Sequence, residues 1–161
     1  MSNTAANILK LISSIIACQF AGFIGSIFTA ASIPMWYTSL NKPPFTPPNW
    51  LFAPAWIILY LLMAIAAFLI WQKGLNSKGV KKALILFLIQ LVLNSLWSVI
   101  FFGLQSPLWG MILIVLLWIA IIFTMLKFYK ISTAACWLLL PYILWITFAA
   151  TLNFSIWILN L

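Results

Sequence analysis

The chain has 161 residues, 66% of them hydrophobic and 5% charged, and its eight cations are all Lys; Asp, Glu, Arg and His are absent. Globular chains are about a quarter charged and about half apolar, so this composition, with mean hydropathy +1.21, excludes a water-soluble domain and makes lipid the solvent. It equally excludes His- or carboxylate-based acid–base catalysis, a Ser-His-Asp triad and any His or carboxylate metal site; the lysines bound apolar runs and form no stripe with interleaved aromatics, so nucleic acid is excluded as a partner.

The lysines delimit the membrane spans. The long charge-free intervals are 11–41, 43–72, 83–126 and 131–161, and one span needs about 20 apolar residues. The third interval is too long for one helix and is interrupted by Gly103-Leu104-Gln105-Ser106-Pro107, a turn signal. One integral membrane domain over 1–161 is therefore predicted, an all-α bundle with five spans at about 8–31, 50–71, 82–102, 108–128 and 134–158.

The first span lacks a Lys-rich leader region and a small-x-small cleavage site, so it reads as a retained helix rather than a signal peptide. It carries small residues at every fourth position, Ala17, Ala21, Gly25 and Thr29 beside Cys18, Gly22, Ser26 and Ala30, which allow close backbone approach; packing within the chain is favoured over a dimer seam. Residues 32–49 then form the only long predicted loop. It holds Pro34, Pro43, Pro44, Pro47 and Pro48, which stiffen extended backbone, and a loop of this length in a compact protein is usually a lid or binding element. Pro141 predicts a kink in the fifth span. Cys18 and Cys136 lie in apolar helices, where a thiol acts as a small hydrophobe. Lys10, Lys73, Lys78, Lys81, Lys82, Lys127 and Lys130 fall on one side of this topology and Lys42 alone on the other, which predicts a cytoplasmic N-terminus and an external C-terminus.

Polar and aromatic residues collect in the outer half. At about 1.5 Å per residue, Trp56 and Tyr60 lie roughly 9 and 15 Å below the outer end of the second span, and Asn94 and Trp97 roughly 12 and 8 Å below that of the third. Trp109 opens the fourth span from the same side, while Trp145 and Ala149 are one turn apart on the fifth, with Asn153 nearer the surface. Asn94 must face the bundle, since an unpartnered amide in lipid is costly; Gln90 is one turn deeper, and helix-to-helix hydrogen bonding is the simplest role for both. Anchoring at the membrane interface accounts for Trp50, Trp71, Trp137 and Trp157, but Trp97 and Trp145 are too deep for it. Together these residues predict an aromatic-walled cavity with few polar contacts, the usual form of a small-molecule site, beneath the proline-rich loop.

At these positions the sequence resembles the tryptophan-rich sensory protein and translocator protein family (TspO/MBR), also called the peripheral-type benzodiazepine receptor. Four blocks carry the resemblance, in order and with the family's spacing: Trp36-Tyr37-x-x-Leu40-x-Lys42-Pro43 with Pro47-Pro48 and Trp50; Pro54-x-Trp56-x-x-Leu59-Tyr60-x-x-Met63; Gln90-Leu91-x-Leu93-Asn94-x-x-Trp97-Ser98-x-x-Phe101-Phe102-Gly103; and Pro141-Tyr142-x-x-Trp145-x-x-Phe148-Ala149-x-x-Leu152-Asn153-x-x-x-Trp157-x-Leu159-Asn160. The resemblance implies a bacterial-type five-helix protein of the cell membrane, a homodimer, that binds porphyrins (protoporphyrin IX, haem), related hydrophobic molecules and benzodiazepine-type drugs beneath its first loop. It implies that Trp36, Tyr37 and Pro47 belong to the lid, that Trp56, Asn94, Trp97, Trp145 and Ala149 line the pocket with Tyr60 nearby, and that Trp109 touches it. No cofactor is required; porphyrin is a ligand.

Three functions follow as alternatives. The first is a membrane receptor, sensor or carrier for tetrapyrroles, with indoles stacked on the macrocycle and Lys42 the one outer cation available to a propionate. The second is an enzyme of light- and oxygen-dependent porphyrin breakdown, for which the resemblance points to Trp56 and Trp145 as the catalytic candidates; this chemistry needs neither acid nor base. The third is a sterol or lipid transporter or a structural scaffold. The animal sterol motif requires a Tyr and then a basic residue, whereas this chain has Phe154, Ser155 and Ile158 there, and no ring of polar side chains recurs along one face as a channel needs. Without His, only Cys, Met or Tyr could ligate haem iron, which favours metal-free porphyrin.

Overall fold

The computed structural model describes residues 3–161. Five of its helical segments are long and apolar enough to cross a membrane, Thr4–Tyr37, Asn49–Trp71, Val80–Gly103, Pro107–Tyr129 and Thr133–Leu159, and no strand occurs among the described residues. This is the predicted all-α, multi-pass membrane bundle. Within the spans, α1 is Asn3–Ser32, α2 Phe52–Trp71, α3 Val80–Ser98, α4 Pro107–Tyr129, α5 Thr133–Leu138 and α6 Leu140–Leu159. The helix α1 packs on α2 and α3, α4 joins α3 to α6, and α5 lies against α2 and α4.

Each helix divides into an inner and a lipid-facing side at helical spacing. On α4 the inner stripe is Gly110, Ile114, Leu117, Ile121, Thr124 and Phe128. The outer stripe of α1 is Ile12, Ile16, Phe20, Phe23 and Ile27, all large and exposed, as a lipid-solvated face requires. Lipid tails are as apolar as Leu, so association relies on close packing and interhelical hydrogen bonds. Both are present where α1 meets its neighbours. A Cβ at Gly22 would lie 2.6 Å from the Tyr60 ring of α2. The Ser95 hydroxyl of α3 donates to the Ala21 carbonyl at 3.0 Å, and the Gln19 amide to that of Ile57 at 3.3 Å.

The structure corrects the predicted loop at 32–49. Pro34 does not end the first helix: α1 continues through a π-helical turn, Ile33–Tyr37, with Pro34 in its first positions and helical residues following to Ser39. Pro34 lies at the start of this widened turn, which the Thr38 N–H closes by reaching back five residues to the Ile33 carbonyl, while the Thr38 and Ser39 hydroxyls donate to the carbonyls of Pro34, Met35 and Trp36. Trp36 and Tyr37 therefore sit on helix, and the loop proper begins at Leu40.

The third span also ends in a π-helical turn, Val99–Gly103; the reversal to α4 is completed by Gln105 at φ 53°. The fifth span is broken at Leu139, with Pro141 in the first turn of α6, where its absent N–H has no helical partner to lose.

Candidate functional site

The site is built upward from a buried polar chain. The Tyr60 hydroxyl donates to Asn94 Oδ1 at 2.5 Å, Asn94 Nδ2 donates to the Tyr142 hydroxyl at 2.8 Å, and that hydroxyl donates to Gln90 Oε1 at 2.8 Å. This links α2, α3 and α6 through side chains that are all buried. Polar groups in such surroundings must be paired, and here only Gln90 Nε2 has no partner. Asn94 does face the bundle, but its amide is engaged on both sides: it floors the site rather than lining it.

Directly above lies an aromatic chamber. The helix α2 contributes Phe52 and Trp56; α3 and its π turn contribute Trp97, Ser98 and Phe101; α6 contributes Trp145, Phe148, Ala149 and Asn153; and Tyr37 closes one side. The rings form a continuous lattice of edge-to-face, tilted and stacked pairs. Trp56 meets Trp145 at 6.5 Å between centroids and 86°, Phe52 meets Trp145 at 6.4 Å, and Trp97 stacks on Phe101 at 5.2 Å and 19°. Such pairs are worth about 0.5–1.5 kcal/mol beyond the area they bury, which favours this arrangement of the walls. The Trp97 indole donates to Asn153 Oδ1 at 3.2 Å, and Asn153 Nδ2 donates to the Pro107 carbonyl at 2.8 Å, which fixes the Trp97 plane. The free volume within the chamber is only about 40 Å³. Among the residues of its wall, Tyr37 carries a buried hydroxyl that has no hydrogen-bond partner.

The loop above is tied at its first residues. Asn41 and Asn160 clasp each other: the Asn41 N–H donates to Asn160 Oδ1 at 3.0 Å and Asn160 Nδ2 donates to the Asn41 carbonyl at 2.9 Å. Lys42 turns back onto α1, where Nζ donates to the carbonyls of Tyr37, Thr38 and Leu40 at 2.8, 3.1 and 2.9 Å. An ammonium has three donors, and all three are engaged by the helix terminus; the expectation that Lys42 is available to a propionate does not match this arrangement. Beyond it the loop rests on the chamber through Phe45, 6.3 Å from the Phe148 ring.

Of the residues singled out in the sequence, Tyr37, Trp56, Trp97, Trp145 and Ala149 come together around the chamber. Trp36 packs behind it, edge-on to Phe101 at 5.5 Å. Pro47 is half-buried in the loop, outside the chamber walls. Tyr60 stands below, 5.5 Å from the Trp56 ring, and faces a groove between α1 and α2. Trp109 is displaced outright: it is 62% exposed, because the inward slot of that turn belongs to Gly110, where a Cβ would lie 2.9 Å from Phe101 and 3.0 Å from Asn153. Sequence reasoning missed Phe52, Phe101 and Phe148 as wall residues. A lone Phe in an apolar helix carries no signal, but the one-turn spacings Phe52–Trp56–Tyr60 and Trp97–Phe101 mark single helix faces.

Comparison with known proteins places this arrangement. Residues 14–158 match the TspO/MBR family. The chain is 52% identical to the tryptophan-rich protein TspO of Archaeoglobus fulgidus over 96% of its own length and 99% of that protein. It is 38% identical to the tryptophan-rich sensory protein of Cereibacter sphaeroides, covering 78% of this chain and 77% of that one, and 36% identical to the human translocator protein, covering 84% and 80%. With the match running through every span and wall of the chamber, the chain belongs to the TspO/MBR family.

Proposed function

We propose that this membrane protein is a receptor or carrier that takes up porphyrins, protoporphyrin IX foremost, and related flat hydrophobic molecules at the aromatic chamber. The observation that carries the reading is the chamber's composition: three indoles and five further aromatic rings around one space, with a buried hydroxyl on its wall, that of Tyr37, left without a partner. A flat π-system satisfies the ring faces by stacking, and one polar substituent satisfies the hydroxyl. The family supports a sensing or transporting role in a membrane; the porphyrin is our extension. The seven lysines at the opposite end from Lys42 favour a cytoplasmic N-terminus. Titration of the protein in detergent with protoporphyrin IX is expected to quench tryptophan fluorescence saturably, and the Trp97→Ala, Trp145→Ala double variant to weaken binding at least tenfold. A linear, non-saturating response, or unchanged affinity in the variant, overturns the reading.

A second reading rests on the Trp56–Trp145 pair, whose rings meet edge-to-face at the chamber wall. Indoles beside a photoexcited macrocycle in air are oxidisable, so the pair suits light- and oxygen-dependent porphyrin breakdown. Illumination of the complex is expected to bleach the bound porphyrin to a new product, and Trp145→Phe to stop this while retaining binding. Equal product formation in the variant argues that bleaching is a by-product of holding a photosensitiser.

A further inference from the structure

The chamber is too small for the ligand proposed for it. About 40 Å³ holds a water or two, whereas sites for drug-sized molecules run to about 300–1,000 Å³. On its outer side the loop is held at its start by the Asn41–Asn160 clasp and rests on Phe148 through Phe45. A second space of about 460 Å³ lies alongside, between α1 and α2, with Gly22, Ser26 and Ala30 on one bank and Ala53, Ile57 and Tyr60 on the other. The two spaces share Thr29, Phe52, Trp56 and Ser98 as walls, so only this partition separates them.

We propose that the α1–α2 groove is the lateral entrance and main berth of the site: a flat hydrophobic macrocycle enters sideways from the bilayer, lies against Trp56, and passes only its leading edge into the chamber. This rests on the porphyrin reading above and deepens it. Three observations support it. The groove faces the lipid side, where Phe23, Ile57 and Ala53 are exposed, and a ligand of this class concentrates in lipid. Its volume fits a large ring system where the chamber does not. Its floor is preformed: a Cβ at Gly22 would meet the Tyr60 ring at 2.6 Å, so this close approach sets the depth of the groove, and the Gln19 amide ties its inner end to α2. Trp56, which contacts Tyr60, Tyr142 and Trp145, lines both spaces and offers an indole for an occupant to stack on.

The test uses Ser26→Phe and Ala53→Phe, which fill the groove from exposed positions where no interhelical bond is lost; the Ser26 hydroxyl bonds only to its own helix at Phe23. In phosphatidylcholine nanodiscs each variant is expected to weaken protoporphyrin IX binding at least tenfold and to slow association, while Ile12→Phe, on the lipid face outside the groove, leaves both unchanged. A bimane label on Ser26→Cys, in a Cys136→Ser background, keeps the question open to measurement should the Phe variants fold poorly: it is expected to be quenched on porphyrin addition with the same saturation curve as the tryptophans. Saturable wild-type binding with unaffected groove variants and an unquenched label overturns the groove and leaves the chamber reading standing. No saturable binding to the wild type overturns both. A changed oligomeric state at unchanged affinity assigns the groove to a second copy of the chain and overturns the proposal.

Discussion

The ammonium of Lys42 donates to the backbone carbonyl of Tyr37 at 2.8 Å and lies 5.2 Å from the centroid of the same residue's ring. One cation therefore closes the C-terminus of the first span, where the helix dipole favours it, and packs on the side chain whose buried, unpartnered hydroxyl belongs to the chamber wall. No lysine lines either the chamber or the α1–α2 groove.

Ligand charge selectivity follows from that engagement. Lys42→Met is expected to cost about 1–2 kcal/mol of stability, the scale of a charged cap in a favourable, partly buried setting. It should weaken protoporphyrin IX and its uncharged dimethyl ester by the same factor, because the loss acts through Tyr37 and the loop. Parallel titrations of the two porphyrins against wild type and variant check this. A loss confined to the diacid would show that Lys42 leaves the helix to pair with a propionate.

The buried chain makes a graded prediction. Tyr142→Phe removes the group that accepts from Asn94 and donates to Gln90, leaving two buried polar atoms unpaired at about 1–3 kcal/mol, softened in a bilayer where typical interhelical bonds are worth about 0.6 kcal/mol. Gln90→Met should cost less, since it also deletes the orphaned Nε2. Unfolding midpoints in mixed micelles of increasing dodecyl sulfate fraction should rank wild type above Gln90→Met above Tyr142→Phe; the reverse order of the two variants contradicts the assignment.

These relationships also mark how far the sequence could be read. The spans were legible because lysines end them and the hydrocarbon thickness sets their length. Trp97 and Trp145 were legible because a tryptophan too deep for the interface needs another purpose, and Trp56 because it lies one turn from Tyr60 in a block that resembles the family. Pro34 misled, since proline signals a break from sequence alone while a π turn absorbs it within the helix. Asn94 was read correctly as facing inward but not as fully engaged; that depends on Tyr60 and Tyr142 arriving from two other helices at hydrogen-bonding distance. Trp109 was misplaced by one position of helical phase, which only the inward Gly110 reveals.

Gly110 supplies the next prediction. A Cβ there would press on Phe101 at 2.9 Å and on Asn153 Oδ1 at 3.0 Å, the atom that receives the Trp97 indole. Gly110→Ala is expected to cost about 1–3 kcal/mol by overpacking, after offsetting roughly 1 kcal/mol of gained helix propensity, and to release the Trp97 plane. Tryptophan emission should shift as the indole bond loosens, with porphyrin affinity falling in parallel. A variant more stable than wild type with unaltered emission would show that the helices separate freely at this contact.

The loop clasp governs release rather than capture. Asn41 and Asn160 exchange two hydrogen bonds over the rim of the site, and Asn41 Nδ2 adds a third to the Leu159 carbonyl at 3.3 Å. All three are exposed to solvent, so each is worth only about 0.5–1.5 kcal/mol, and Asn160→Ala should leave the thermal midpoint within a few degrees of wild type. The clasp nevertheless holds the start of the loop whose Phe45 rests on Phe148. Loosening it is expected to raise amide exchange through residues 40–48 and to speed porphyrin dissociation about three- to tenfold, the range that about 0.7–1.4 kcal/mol of lost closure permits. Association through the α1–α2 groove should stay the same. Stopped-flow chase of bound protoporphyrin IX with excess unlabelled protein measures the first rate and direct mixing the second. An increase in association as large as that in dissociation would make the loop the entrance, and would count equally against the sideways route.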